Sequence, residues 1–174
     1  MSHKAIAFAA ALLFAAASAS AATPIVLSAD GANQWSASFS GMASGDNTYT
    51  LDLSSFASGW SDITLSSLLV TANFSGNRGY DVTSVTFDGD EVSAAFDFVI
   101  PGKLGVDVWV HEAYDLTPTV HTLVVTGNLI GGATGFTGSL TVQAQPVPEP
   151  ESYMLMLAGL AAVGFIARRR SVAR

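Results

Sequence analysis

No stretch between residues 23 and 145 keeps apolar residues at a helical period for ten residues, whereas period-two alternation recurs along it. Tyr49, Leu51 and Leu53 alternate with Thr48, Thr50 and Asp52, and Val106, Val108 and Val110 alternate with Asp107, Trp109 and His111. Side chains of a strand point alternately to opposite faces, so this pattern marks half-buried strands. Glycine, asparagine and serine interrupt at short intervals, and Phe87-Asp88-Gly89-Asp90 places Asp-Gly between two such runs, a hairpin signal. The spacing predicts strands near Ile25–Ser28, Gln34–Ser40, Thr48–Leu53, Ile63–Asn73, Asp81–Phe87, Glu91–Ile100, Val106–Glu112, Val120–Thr126 and Thr137–Gln143. About eight or nine short strands with regular turns predict an all-β fold, an antiparallel β-sandwich. The valines of Val106–Val110 are expected on the core face, leaving Asp107 and Trp109 on the opposite one, with Trp109 half-exposed.

The strongly apolar segments lie at the two ends and stand outside this body. His3 and Lys4 precede the alanine-rich run Ala5 to Ala17, and Ser18-Ala19-Ser20-Ala21-Ala22 follows with small residues. A short positive start, an apolar centre and a small-residue exit describe a secretory signal peptide over 1–22, helical, with cleavage after Ala21 or Ala22. At the other end Val147-Pro148-Glu149-Pro150-Glu151 leads into Ser152 to Ala167, then Arg168-Arg169-Arg170. Two prolines around a glutamate predict an extended segment over 147–151. Residues 152–167 predict a transmembrane helix of roughly 24 Å, a little short of a hydrocarbon core. The basic end 168–174, with Arg168, Arg169 and Arg170 as the anchor stop, is expected on the cytoplasmic side.

Between the ends, residues 23–145 form the expected body. The chain has no cysteine, which excludes a disulfide framework, a zinc knuckle and a thiol nucleophile. A body of this size can hold a core without such staples. Only Arg78 and Lys103 are basic in it, so the exported part is more acidic than the whole-chain charge of −7. Nucleic acid is excluded as a partner by that charge. Anionic glycans are repelled unless a divalent cation intervenes.

The tail carries a resemblance. Pro148-Glu149-Pro150, the glycine-bearing apolar helix and the basic end, residues 146–170 as a whole, resemble the PEP-CTERM sorting tail of Gram-negative bacteria. The tail is also similar to what is termed an ice-binding protein C-terminal domain, a label for the tail and not for the body. The resemblance implies recognition by an exosortase, a membrane protease-transpeptidase that cuts near the Pro-Glu-Pro. It implies export through the inner membrane, transient anchoring there, and delivery to the cell surface or outside, commonly in company with exopolysaccharide. In the body, Tyr80-Asp81-Val82-Thr83-Ser84-Val85-Thr86-Phe87-Asp88-Gly89 resembles a strand and turn of the FxDxF family of PEP-CTERM proteins. His121 to Gly127 and Gly135 to Val142 resemble its closing strand pair, although the Phe-x-Asp-x-Phe motif itself is absent. That family has no established molecular activity, so the resemblance implies topology and export and assigns no site.

The body offers little chemistry. Asp88, Asp90 and Glu91 could supply oxygens to calcium, but the twelve-residue loop with its distal glutamate is missing. His111, Glu112, Asp115 and His121 form the other set of potential ligands, without the helical His-Glu-x-x-His spacing. No metal and no cofactor is expected. Aspartates are numerous, yet nothing singles out a pair for glycoside hydrolysis, and no Gly-x-Ser-x-Gly elbow occurs. Trp109, more than Trp35 or Trp60, is the residue that could stack on a sugar ring. Ice binding asks for a threonine array of fixed period, which the sequence does not show. The expectation is a non-enzymatic surface or matrix protein; a carbohydrate-binding or adhesive module is the alternative, and a hydrolase stands third on aspartate number alone.

Overall fold

The structure, a computed structural model, describes residues 21–100, 103–132, 134–147 and 150–172. The expected signal helix falls on residues outside these; Ala21 and Ala22, the expected cleavage positions, are exposed and without regular structure. The chain is mostly β. Its strands are β1 (Thr23–Ile25), β2 (Ser28–Ala29), β3 (Gln34–Gly41), β4 (Gly45–Asp52), β5 (Trp60–Ser75), β6 (Arg78–Phe87), β7 (Asp90–Glu91), β8 (Ser93–Ile100), β9 (Leu104–Ala113), β10 (Val120–Ile130) and β11 (Phe136–Pro146). Among the described residues a 3₁₀ turn, Ser54–Phe56, and a helix, α1 (Pro150–Val172), complete it.

Each predicted strand has a counterpart, with two splits. Ile25–Ser28 is two short strands, β1 and β2, and Glu91–Ile100 is interrupted at Val92, which is buried and whose N–H donates to the Val85 carbonyl at 2.9 Å. In place of two separate sheets, hydrogen bonds join all eleven strands into one open sheet, in the order β1-β4-β10-β6-β5-β11-β3-β2. β9 pairs the other side of β5, and β8 pairs β9. One pairing, β1 with β4, is parallel against the antiparallel expectation. The sheet is continuous because β5 and β6 stay paired at their shared hairpin, Phe74 with Gly79 and Ser75 with Arg78. Beyond it β6 leaves β5 for β10.

The sheet curls so that its two arms share a core. Tyr49, Leu51, Val85, Leu123 and Val125 come from one arm; Leu65, Leu68, Val70, Leu140 and Val142 come from the other. Rings meet across the middle: Phe39 with Tyr49 at 4.9 Å, and Tyr80 with Phe136 at 5.2 Å between centroids. The two phenol hydroxyls are satisfied there, Tyr49 donating to the Ser40 carbonyl and Tyr80 to that of Ala43, both at 2.8 Å. Burying that apolar surface is the main term holding the arms together.

Candidate functional site

Two regions carry the sequence-predicted residues: the tail and the body's polar clusters. β11 extends to Pro146, paired with Trp60, and the Val147 N–H donates to the Gly59 carbonyl at 3.0 Å. Pro148 and Glu149, the centre of the expected sorting motif, lie outside the described residues. Pro150 and Glu151, expected in an extended segment, are instead the first residues of α1. Proline lacks an amide hydrogen that the first helical turn would leave unused, and a glutamate there faces the positive end of the helix dipole. The helix also runs past Ala167, so Arg168, Arg169 and Arg170 stand in its last turns rather than after it. Its 23 residues reach about 34 Å, enough for a hydrocarbon core. Residues 151–168 are long and apolar enough to cross a membrane, and every one of them is exposed. A helix this apolar, with residues 151–168 unburied, fits a lipid environment.

In the body, Trp109, the residue that could stack on a sugar ring, is in the core. Trp109 is 7% exposed and Asp107 fully buried, while Val106 and Val110 are exposed, so β9 presents the opposite face to that expected. The reason lies next door: Phe96 and Phe98 of the edge strand β8 pair across from Val108 and Val106, and the four make an apolar outer patch. The core side has room for an indole where β9 opposes Val70. Trp35 and Trp60 pack edge-on against one another at 4.9 Å, and Trp35 meets Phe56 at 4.6 Å, so their rings close one end of the core.

Nor do the potential ligand sets converge among the described residues. Asp88 Oδ1 accepts the Thr122 N–H at 2.8 Å, and its Oδ2 lies 2.6 Å from His121 Nδ1. The buried His121 donates its Nε2–H to the Thr117 carbonyl at 2.8 Å. Both oxygens of Asp88 are thus engaged in fastening loop to strand. The Phe87 ring has His121 on it at 5.7 Å, nearly parallel, and His111 at 5.8 Å. Glu112 accepts the Tyr114 hydroxyl, which raises the phenol above its ordinary value. Among the described residues no group of three or more histidines and acids is placed to hold a metal ion.

Two features escaped the sequence reading. Asp107 accepts the Val82 N–H on Oδ2 at 2.9 Å, while its Oδ1 has no hydrogen-bond partner; burial pushes this carboxyl up to about 6. The second is the outer face of β3, β11 and β5. Register sets Ser40 beside Thr137 beside Thr71, Ser38 beside Ser139 beside Leu69, and Ser36 beside Thr141 beside Ser67. The Thr71 and Thr137 hydroxyls are 3.1 Å apart, and a shallow depression lies over the first two of these rows. The three strands are far apart in sequence, so no linear period of threonines announces the array.

A PEP-CTERM protein-sorting motif matches residues 146–170. No curated protein and no solved structure matches the chain. The match takes in Val147–Glu151 and Arg168–Arg170 and stops short of the segments on which the FxDxF resemblance rests. Motif and apolar helix together support exosortase-dependent sorting of an exported protein, processed at the membrane. The chain carries the sorting tail of the PEP-CTERM proteins.

Proposed function

We propose that this is an exported, non-enzymatic surface or matrix protein whose tail holds it briefly in the inner membrane until an exosortase cuts near Pro148-Glu149-Pro150. One observation carries the reading: a helix fit to span a membrane, matched with its flanks to the sorting motif, follows directly on a finished β fold. The non-enzymatic part is supported by how the polar groups are used. Asp88 and His121 bind each other and the backbone, and Asp107 is shut in the core. Fractionation of cells with and without the exosortase tests it. A shorter released form in the parent strain and a longer membrane-held form in the deletion are expected; unchanged size and location would overturn the sorting.

A carbohydrate-binding or adhesive role is favoured by the hydroxyl rows on β3, β11 and β5. On a strongly acidic body these three rows hold no charged side chain, so neutral glycans suit them better than anionic ones. Thr137→Lys with Ser139→Lys is expected to abolish retention on neutral glycan arrays. Binding that survived both changes would remove the argument.

A further inference from the structure

The buried carboxyl of Asp107 sits where β9 approaches β6, and it has negative company. Asp97 on β8 is its cross-strand partner and so shares its face, and Asp81 on β6 adjoins the residue whose N–H Asp107 accepts. That bond falls where the β6–β10 register shifts, between Thr126 paired with Ser84 and Gly127 paired with Val82. From β5 the residue opposite Asp107 is Ala72, without charge. The body's basic side chains, Arg78 and Lys103, are exposed. β8 is an edge strand, paired to β9 alone among the described strands and exposed along nearly its whole length.

We propose that Asp81, Asp97 and Asp107 form a proton-operated latch on the β8 edge: with Asp107 neutral, β8 lies closed on β9, and with Asp107 ionised the three carboxylates repel and β8 frays. A buried oxygen without a partner tolerates the neutral state far better than the charged one. Burial first, then Asp81 and Asp97, hold the Asp107 carboxyl up, against the lowering effect of the Val82 N–H; burial and Asp97 likewise raise Asp81. The folded carboxyl lies above its unfolded value, so the closed form is favoured while the proton is on and loses ground as pH rises from the ordinary 3.8 through about 6. An edge strand with one partner is the element that such repulsion moves first.

The test is hydrogen exchange of the full chain in detergent micelles, followed at Ser93–Ile100 and corrected for intrinsic rates. Between about pH 5 and about pH 8, protection of β8 is expected to fall roughly tenfold while the core of β10 and β11 keeps its own. Asp107→Asn keeps an oxygen for Val82 and removes the titration, so its β8 is expected to stay protected at both pH values. Should that variant misfold, the exposed Asp97→Asn is expected to shrink the wild-type response. A wild-type β8 with equal protection at both pH values overturns the latch, as does an unchanged response in Asp107→Asn, or in Asp97→Asn where that is the variant that folds. Millimolar calcium chloride at about pH 8 is expected to leave β8 open; full restoration of protection would show a cation site and overturn the proton mechanism.

Discussion

Asp88 and Asp107 are both aspartates held against backbone N–H groups, yet they differ in what they do to the fold. Asp88 is 41% exposed and answers a 5%-exposed His121 side chain, so its charge is partly hydrated and used. Removing it in Asp88→Ala strands the Thr122 N–H and His121 Nδ1, and a loss of about 1–3 kcal/mol in denaturant unfolding is expected. Asp107 is a cost once it is ionised. Because its folded carboxyl is raised, wild-type stability is expected to decline as pH rises from 3.8 through about 6, and Asp107→Asn to flatten that part of the profile. Trp109→Ala is expected to act as a core cavity, losing about 3–5 kcal/mol, with neutral-glycan retention at the hydroxyl face unaffected in the folded fraction. These residues also mark where the sequence stops being readable. The period-two pattern of β9 was legible, but its sign was not. Both faces carry bulky apolar groups, Trp109 inside and three valines outside, and only the non-local pairing with Phe96 and Phe98 decides between them.

Strands as units were far more legible than their arrangement. Propensity and alternation act over a few residues, whereas the β5–β6 corner that makes one sheet depends on a close backbone approach. Gly79 has φ +135°, and a Cβ there would lie 2.3 Å from the Asn73 oxygen and the Phe74 Cα. Gly89, at the predicted Asp-Gly turn, has φ +91° and open space around it. Gly79→Ala must therefore bend the hairpin that links the arms, while Gly89→Ala meets only the left-handed backbone cost, about 1–2 kcal/mol. Thermal unfolding is expected to rank them so, with Gly79→Ala the lower by several degrees or failing to fold; equal midpoints would show that the corner is not held by this approach. The helix was legible as an element too, but its ends were misjudged. Two prolines predict an extended lead-in over 147–151, yet proline in a first helical turn starts a helix, and three arginines do not end a helix whose backbone they favour.

At the scale of the whole chain, the last fixed point of the sheet is the bond from Val147 to Gly59, and α1 begins three residues later. Three residue steps separate Val147 from Pro150, a span of at most about 11 Å, so a short Pro148-Glu149 link joins the sheet to the helix. On the proposed sorting, a membrane protease would find its peptide bond near this link, close to the lipid surface. On the same reading the tail would keep it there. With α1 across the inner membrane, each of Arg168, Arg169 and Arg170 would cost roughly 2.5 kcal/mol or more at the hydrocarbon centre, so the helix end would be held on the cytoplasmic side. Replacing Pro148-Glu149-Pro150 by three alanines changes none of this anchoring. It removes the prolines that bar helical hydrogen bonding, letting α1 grow toward Val147, and it removes the acidic side chain between them. Export is expected to proceed, since the N-terminal segment is untouched, and a longer, membrane-held form is expected to accumulate on immunoblots of cell fractions. Proline restored at 148 and 150 with alanine at 149 then separates backbone from charge: cleavage that returns assigns recognition to the two prolines, and cleavage that stays lost assigns it to Glu149. If the triple-alanine chain were released at its normal size, the cut would lie outside 148–150 and the motif's centre would have no part in processing.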